Sequence, residues 1–271
     1  MRLSMSWLTS PGWPGASRLL TRCCKTASSA PSFSQPRETW AVRCSVRRQA
    51  WVEPIAKSLP RQGKANTVEG GRRLTEFLGE LARFELSRPT MAKPALLAHS
   101  MGSVVLQHAV QDAAWPTGAP LFSQVVLSQP DADDIGHIEW LGKVGAREKV
   151  FSTQNADDKV LKQSTDARPA GAHALGLGTS EPLAQNVKYV DLTSMGALGA
   201  TDDDHEVFGK GAMNGQVNVC AFFEQALLGK TVTMDDSNVA SIAREVVYTL
   251  KQRSDAHSPC LRIPALPEFA D

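Results

Sequence analysis

A strand-like run that ends on a serine turn constrains the fold more than anything else in this chain. Pro94-Ala95-Leu96-Leu97-Ala98-His99 is short and apolar. An unbroken run of this kind suits a parallel strand buried on both faces. It leads without a linker into Ser100-Met101-Gly102, then into Ser103-Val104-Val105-Leu106-Gln107-His108-Ala109-Val110, which reads as a helix. Three more runs read as strands. Gln124-Val125-Val126-Leu127-Ser128 is stopped by Gln129-Pro130-Asp131. Lys149-Val150-Phe151-Ser152-Thr153 is followed by the acidic loop Asn155-Ala156-Asp157-Asp158, and Val187-Lys188-Tyr189-Val190-Asp191-Leu192 comes last. Strands alternating with helices or long crossovers predict an α/β fold, a parallel sheet flanked by helices. Such sheets carry their reactive residues at the carboxyl ends of the strands.

Around these strands the helical signals are uneven. Asn66 or Thr67 can cap a helix. Leu74, Phe77, Leu78, Leu81 and Phe84 then form its apolar stripe, and Arg72, Arg73, Glu76, Glu80 and Arg83 its polar face. Pro89 ends it. Residues 166–186 are rich in Gly, Ala and Pro and read as a long loop. Helical patterns follow at about 212–228 and 236–252, the second capped by Asp236 or Ser237. The implied organisation is a basic N-terminal segment over 1–65, an α/β domain over 66–253 and an irregular tail over 254–271.

Charge marks the first of these boundaries. Residues 1–65 hold eleven Lys/Arg and two Asp/Glu, although the whole chain carries only +1. The segment has no clear period and little to build a core from. Three readings compete for it: an organelle-targeting presequence, a disordered basic arm, or a non-native start joined to a real domain, which is preferred. Aromatic and basic residues do not interleave on one helical face, so no nucleic-acid partner is expected. No run approaches the eighteen or so apolar residues of a membrane-spanning helix. The five cysteines form no CxxC pair and fit no zinc spacing. They are expected to be unpaired thiols in a reducing compartment, the cytoplasm.

The chemistry centres on Ala98-His99-Ser100-Met101-Gly102, a small-x-Ser-x-small pentapeptide. A serine on a sharp strand-to-helix turn is lifted above the sheet, and small flanking residues let the backbone cross closely. The helix that follows offers free N–H groups and partial positive charge, and the N–H of Met101 is the candidate oxyanion donor. Ala98 departs from the glycine usual there, and a capping serine at a strand–helix junction is the plainer reading of the same residues. A serine nucleophile needs a base, and the base an orienting carboxylate. Asp158 follows the third strand and His205 the fourth, in the chain order Ser, Asp, His. Asp157, Asp131 and Asp133 are rival acids, with Asp158 preferred. His99 reads as a turn residue and His108 as a helix residue. His137, His173 and His257 have no comparable strand-end setting. The run Asp202-Asp203-Asp204 lacks the glycine spacing of a calcium loop, and no cofactor motif or metal site is expected.

These residues resemble the uncharacterised esterase/lipase-superfamily α/β-hydrolases found mainly in bacteria. The resemblance rests on His99-Ser100-Met101-Gly102, Pro130-Asp131, Asp157-Asp158-Lys159-Val160-Leu161 and Asp204-His205-Glu206-Val207-Phe208, and covers about residues 65–230. It implies Ser100 as nucleophile, Asp158 as acid and His205 as base. The departures are a missing glycine before His205, Asp157 in place of an Asn, and the absence of any His-Gly turn in residues 1–95. In the family that turn supplies the second oxyanion N–H, so the N-terminal strands of the fold read as missing. The expected activity is hydrolysis of a small-molecule carboxylic ester through an acyl-enzyme. The alternative is an inactive relic of the fold serving as a binding module. A basic-arm protein binding nucleic acid or membrane ranks third.

Overall fold

A computed structural model describes residues 3–7, 41–46, 59–87, 93–118, 120–165, 168, 170–196, 205, 207, 217–232, 239–241 and 247–250. Among the described residues, eight strands form one sheet. They are β1 (Leu3–Trp7), β2 (Ala41–Val46), β3 (Ala95–His99), β4 (Phe122–Ser128), β5 (Ala146–Gln154), β6 (Val187–Asp191), β7 (Val239–Ser241) and β8 (Val247–Leu250). Their order across the sheet is β1-β2-β3-β4-β5-β6-β8-β7. The inner six run parallel, and β1 and β7 pair antiparallel at the two edges.

Alternation along the central strands feeds two separate cores. Leu96, Ala98, Val125, Leu127, Val150, Val187 and Tyr189 face one side. There they meet helix α1 (Leu59–Ser87) through Leu74 and Leu78, and helix α2 (Gly102–Gln111) through Val105, Leu106 and Ala109. Trp140 and Leu141 of helix α3 (His137–Leu141) complete that face. Leu97, Val126, Phe151 and Val190 face the other side, against Val219, Phe222, Phe223 and Ala226 of helix α6 (Val217–Leu227). The short helices α4 (Lys159–Thr165) and α5 (Thr193–Gly196) follow β5 and β6. Burial on both faces favours consecutive apolar residues, as in Leu96-Leu97-Ala98 of β3 and Val125-Val126-Leu127 of β4.

The long helix α1 lies against α2 at close range. A Cβ placed on Gly71 would sit 2.5 Å from the Cβ of His108, so the small residue permits the approach. The Thr75 hydroxyl donates to the Ala109 carbonyl at 3.1 Å across the same seam. Burial in this seam lowers the pKa of His108.

Three features depart from the sequence reading. Residues 239–241 and 247–250 are strands, whereas a helix is expected over 236–252. The run Val247-Tyr248-Thr249 is β-branched and aromatic, and it finds an open parallel edge on β6 through Tyr189↔Val247 to Asp191↔Thr249. Secondly, β1 and β2 come from the basic segment 1–65 and extend the sheet beyond β3, with Ala41↔Ala95 to Cys44↔Ala98 in register. Ala41-Val42-Arg43-Cys44-Ser45-Val46 is interrupted by Arg43 and Ser45 and sits in a basic segment with no clear period, so it does not read as a buried strand by itself. Thirdly, Cys220, buried on α6, is disulfide-bonded, which corrects the expectation of unpaired thiols. Its partner lies outside the described side chains, and spacing along a chain does not report such a pairing. The tail 254–271 lies outside the described residues.

Candidate active site

Ser100 stands at the carboxyl end of β3 with φ at +51°. That left-handed conformation is uncommon for a residue with a Cβ and costs about 1–3 kcal/mol. Four hydrogen bonds hold it. The Ser100 N–H donates to the Ser128 carbonyl at 3.0 Å. The Ser100 carbonyl accepts from the N–H of Ser103 (3.0 Å), the N–H of Asp131 (3.1 Å) and the Ser103 hydroxyl (2.6 Å). The turn is thereby tied both to its own helix and to the end of β4. Met101 is the N-cap of α2, so its N–H heads a first turn that has no intrahelical acceptor for it.

Asp158 is fully buried where β5 gives way to α4. Its Oδ1 accepts from the Leu161 N–H at 2.9 Å, as an N-cap carboxylate does. Its Oδ2 lies 2.7 Å from Nδ1 of His205 and accepts from Nε2 of Gln129 at 2.7 Å. A carboxylate oxygen only accepts, so the ring donates the hydrogen bond at His205 Nδ1. His205 is 9% exposed. His99, the residue before Ser100, donates from Nε2 to the His205 carbonyl at 3.1 Å, and the two rings lie 4.8 Å apart. The imidazole of residue 205 is therefore held beside the serine turn from one side and by Asp158 from the other.

The rival residues are engaged elsewhere. Asp157 is exposed and lies 3.4 Å from Lys162 Nζ. Asp131 and Asp133 share Arg168, at 2.8 and 2.6 Å. Burial would lower the Arg168 pKa, but the two carboxylates outweigh it and raise it. His108 belongs to the α1–α2 seam, and His137 and His173 gather round Asp134. His257 and the run 202–204 lie outside the described residues. No three metal-ligating side chains converge among the described residues.

A serine turn at the end of β3, with an acid after β5 and an imidazole beyond β6, is the layout of the α/β-hydrolase fold. Residues 64–202 match the model of a family described as alpha/beta hydrolase of unknown function (DUF900). The chain belongs to this α/β-hydrolase family. No curated protein and no solved structure matches it. The family match spans Ser100 and Asp158 and stops three residues before His205. No helix among the described residues is long and apolar enough to cross a membrane.

Two neighbours of the site are absent from the sequence reading in the roles they occupy. His99 was expected only as a turn residue, yet it anchors the His205 backbone. Gln129 was expected only as part of a strand stop, yet its side chain reaches Asp158. Neither has a sequence signal beyond its place at a strand end, since a hydrogen-bond partner 29 or 106 residues away leaves no local trace.

Proposed function

We propose that this hydrolase cleaves a carboxylic ester through an acyl-enzyme on Ser100, with His205 as base, Asp158 as orienting carboxylate and the Met101 N–H as an oxyanion donor. The observation that carries the reading is the 2.7 Å contact from His205 Nδ1 to buried Asp158, beside a strained serine turn. The contact leaves His205 Nε2 as the proton acceptor. Ser100 Oγ attacks the ester carbonyl and its proton passes to Nε2. The carbonyl oxygen becomes an oxyanion, stabilised by the N–H at the head of α2. Collapse expels the alcohol, which takes the proton from the imidazolium. Water, deprotonated by the same nitrogen, then releases the acid and restores Ser100.

A fluorophosphonate probe tests the reading. Mass spectrometry should find the adduct on Ser100 of the native protein and none on Ser100→Ala. Hydrolysis of 4-nitrophenyl butyrate should disappear in the same variant. Folded protein that neither reacts with the probe nor turns over the ester would favour the inactive binding-module alternative.

A further inference from the structure

Gln129 is fully buried and has φ at +44°, a conformation that a residue of this kind rarely adopts. It directly follows β4, between the strand of the serine turn and the strand that leads to the acid. Its main chain is pinned on two sides. The Gln129 N–H donates to Thr153 Oγ1 at 2.9 Å. Gly176 packs so closely on it that an added Cβ would stand 2.7 Å from the Gln129 carbonyl carbon.

The side chain makes two further bonds, in opposite senses. Nε2 donates to Asp158 Oδ2 at 2.7 Å, and Oε1 accepts from the Val207 N–H at 3.1 Å. The amide cannot be turned over, since that would set oxygen against carboxylate and NH2 against N–H. One side chain thus grips the acid and, two residues from the imidazole, the segment that carries His205. A buried amide is costly unless both ends are bonded. Simple packing at this position would be served by an apolar residue.

We infer that Gln129 is a positioning residue, whose amide holds Asp158 and the His205 segment in one fixed relation and so sets how the imidazole is presented to Ser100. The inference rests on the proposed assignment of Asp158 and His205 as acid and base. Among the described residues, the ionisable groups tied to the amide are Asp158, which accepts from it, His205, bonded to the same carboxylate, and His99, whose ring lies against that of His205. Asp131 is two residues along the chain but is bound by Arg168 and Ser164.

Two variants test it. Gln129→Leu removes both bonds at nearly constant volume. It should lower kcat on 4-nitrophenyl butyrate about 10- to 100-fold, by analogy with the loss of an outer hydrogen-bond partner that orients a metal-ligating residue. KM should change less than about threefold, because substrate binding is untouched. Gln129→Glu keeps the shape and, when protonated, can still donate to Asp158 and accept from Val207. Ionised, it repels Asp158. Its kcat relative to wild type should therefore fall steadily between about pH 5 and 9, since burial beside a second carboxylate raises its pKa.

The readout independent of turnover is the low-field NMR resonance of the His205 Nδ1 proton, recorded in a Ser100→Ala background. Gln129→Leu should shift or broaden it, and Gln129→Glu should keep it at acidic pH and lose it at alkaline pH. An unchanged resonance and wild-type kcat in both variants would overturn the role of Gln129 even in an active esterase. A resonance that responds in a protein without esterase activity would retain Gln129 as the clamp and remove the ester-cleavage reading.

Discussion

Two buried aspartates at the carboxyl edge of the sheet each meet a histidine, and their surroundings differ. Asp158, after β5, faces one imidazole at 2.7 Å and is satisfied by an amide and a helix N–H. Asp134, after β4, is equally buried but accepts from the His173 N–H at 3.0 Å and the Ser180 hydroxyl at 3.1 Å. The His173 ring approaches it less closely, at 3.4 Å, and the Asp134 carbonyl lies 2.5 Å from His137 Nδ1. Glu181 accepts from the Gly136 N–H at 2.8 Å in the same cluster. The Asp134 cluster fastens the loop before β6 to the segment after β4. The bridge between Asp133 and Ala174 does the same through the backbone. The comparison teaches that the same acid–imidazole pairing recurs in two different settings, only one of which adjoins the serine turn. What separates the two is the strained turn at Ser100, which adjoins one cluster, while the hydroxyl in the other is spent on its own carboxylate.

The largest expected effects test which cluster does the chemistry. Ser100→Ala should reduce ester turnover by on the order of 10⁴-fold or more, measured as kcat/KM on 4-nitrophenyl butyrate. Asp158→Asn should cost about 10⁴-fold in kcat, because an amide opposite Nδ1 favours the wrong tautomer of His205. Asp134→Asn should leave kcat within about threefold on the same assay. If those two variants exchanged their effects, the comparison would be inverted.

A smaller effect concerns the packing that the two regions share. Gly176 lies in the loop fastened by Asp134 and touches the site through Gln129 and Pro130. An added Cβ would stand 2.6 Å from Leu161 Cδ1, 2.7 Å from the Gln129 carbonyl carbon and 2.8 Å from the Pro130 nitrogen. Leu161 can turn aside, but the two backbone atoms cannot. Gly176→Ala should destabilise the protein by about 1–3 kcal/mol, read from urea midpoints.

The smallest effect is the pH dependence of the Asp134 cluster. Burial alone would raise the Asp134 pKa, but the His173 N–H and ring and the Ser180 contacts outweigh it and hold the carboxyl below its ordinary value. A depressed folded-state pKa adds stability above the unfolded value of about 3.9, and that stability is lost as pH falls through the folded value. Asp134→Asn removes this dependence. Wild type should therefore lose more stability than Asp134→Asn when urea midpoints at pH 6 and pH 3 are compared.

Much of the central sheet was legible from the sequence. Apolar runs bounded by turn residues marked β3, β4, β5 and β6, and the abrupt passage from His99 to Gly102 marked the turn now seen with φ at +51°. The sheet edges were not legible. β2 lies in a basic segment with no clear period, and the residues of β7 and β8 carry a mixed pattern that passes for a helix. Edge strands are selected by the hydrogen-bonding groups that a neighbouring strand leaves open, which a local window does not contain. The side-chain partners around the site were hidden for the same reason. Nothing near Gln129 in the chain points to Val207, 78 residues away.

By itself the sequence determined the parallel core and the place of the serine turn, because burial on both faces and the strand-to-helix reversal act on consecutive residues. Only the tertiary structure decided which carboxylate meets which imidazole. Asp131, Asp133, Asp134, Asp157 and Asp158 are the same functional group in similar loops. Arg168, His173, Lys162 and His205 sort them, and those partners are brought within hydrogen-bond reach only once the strands have paired.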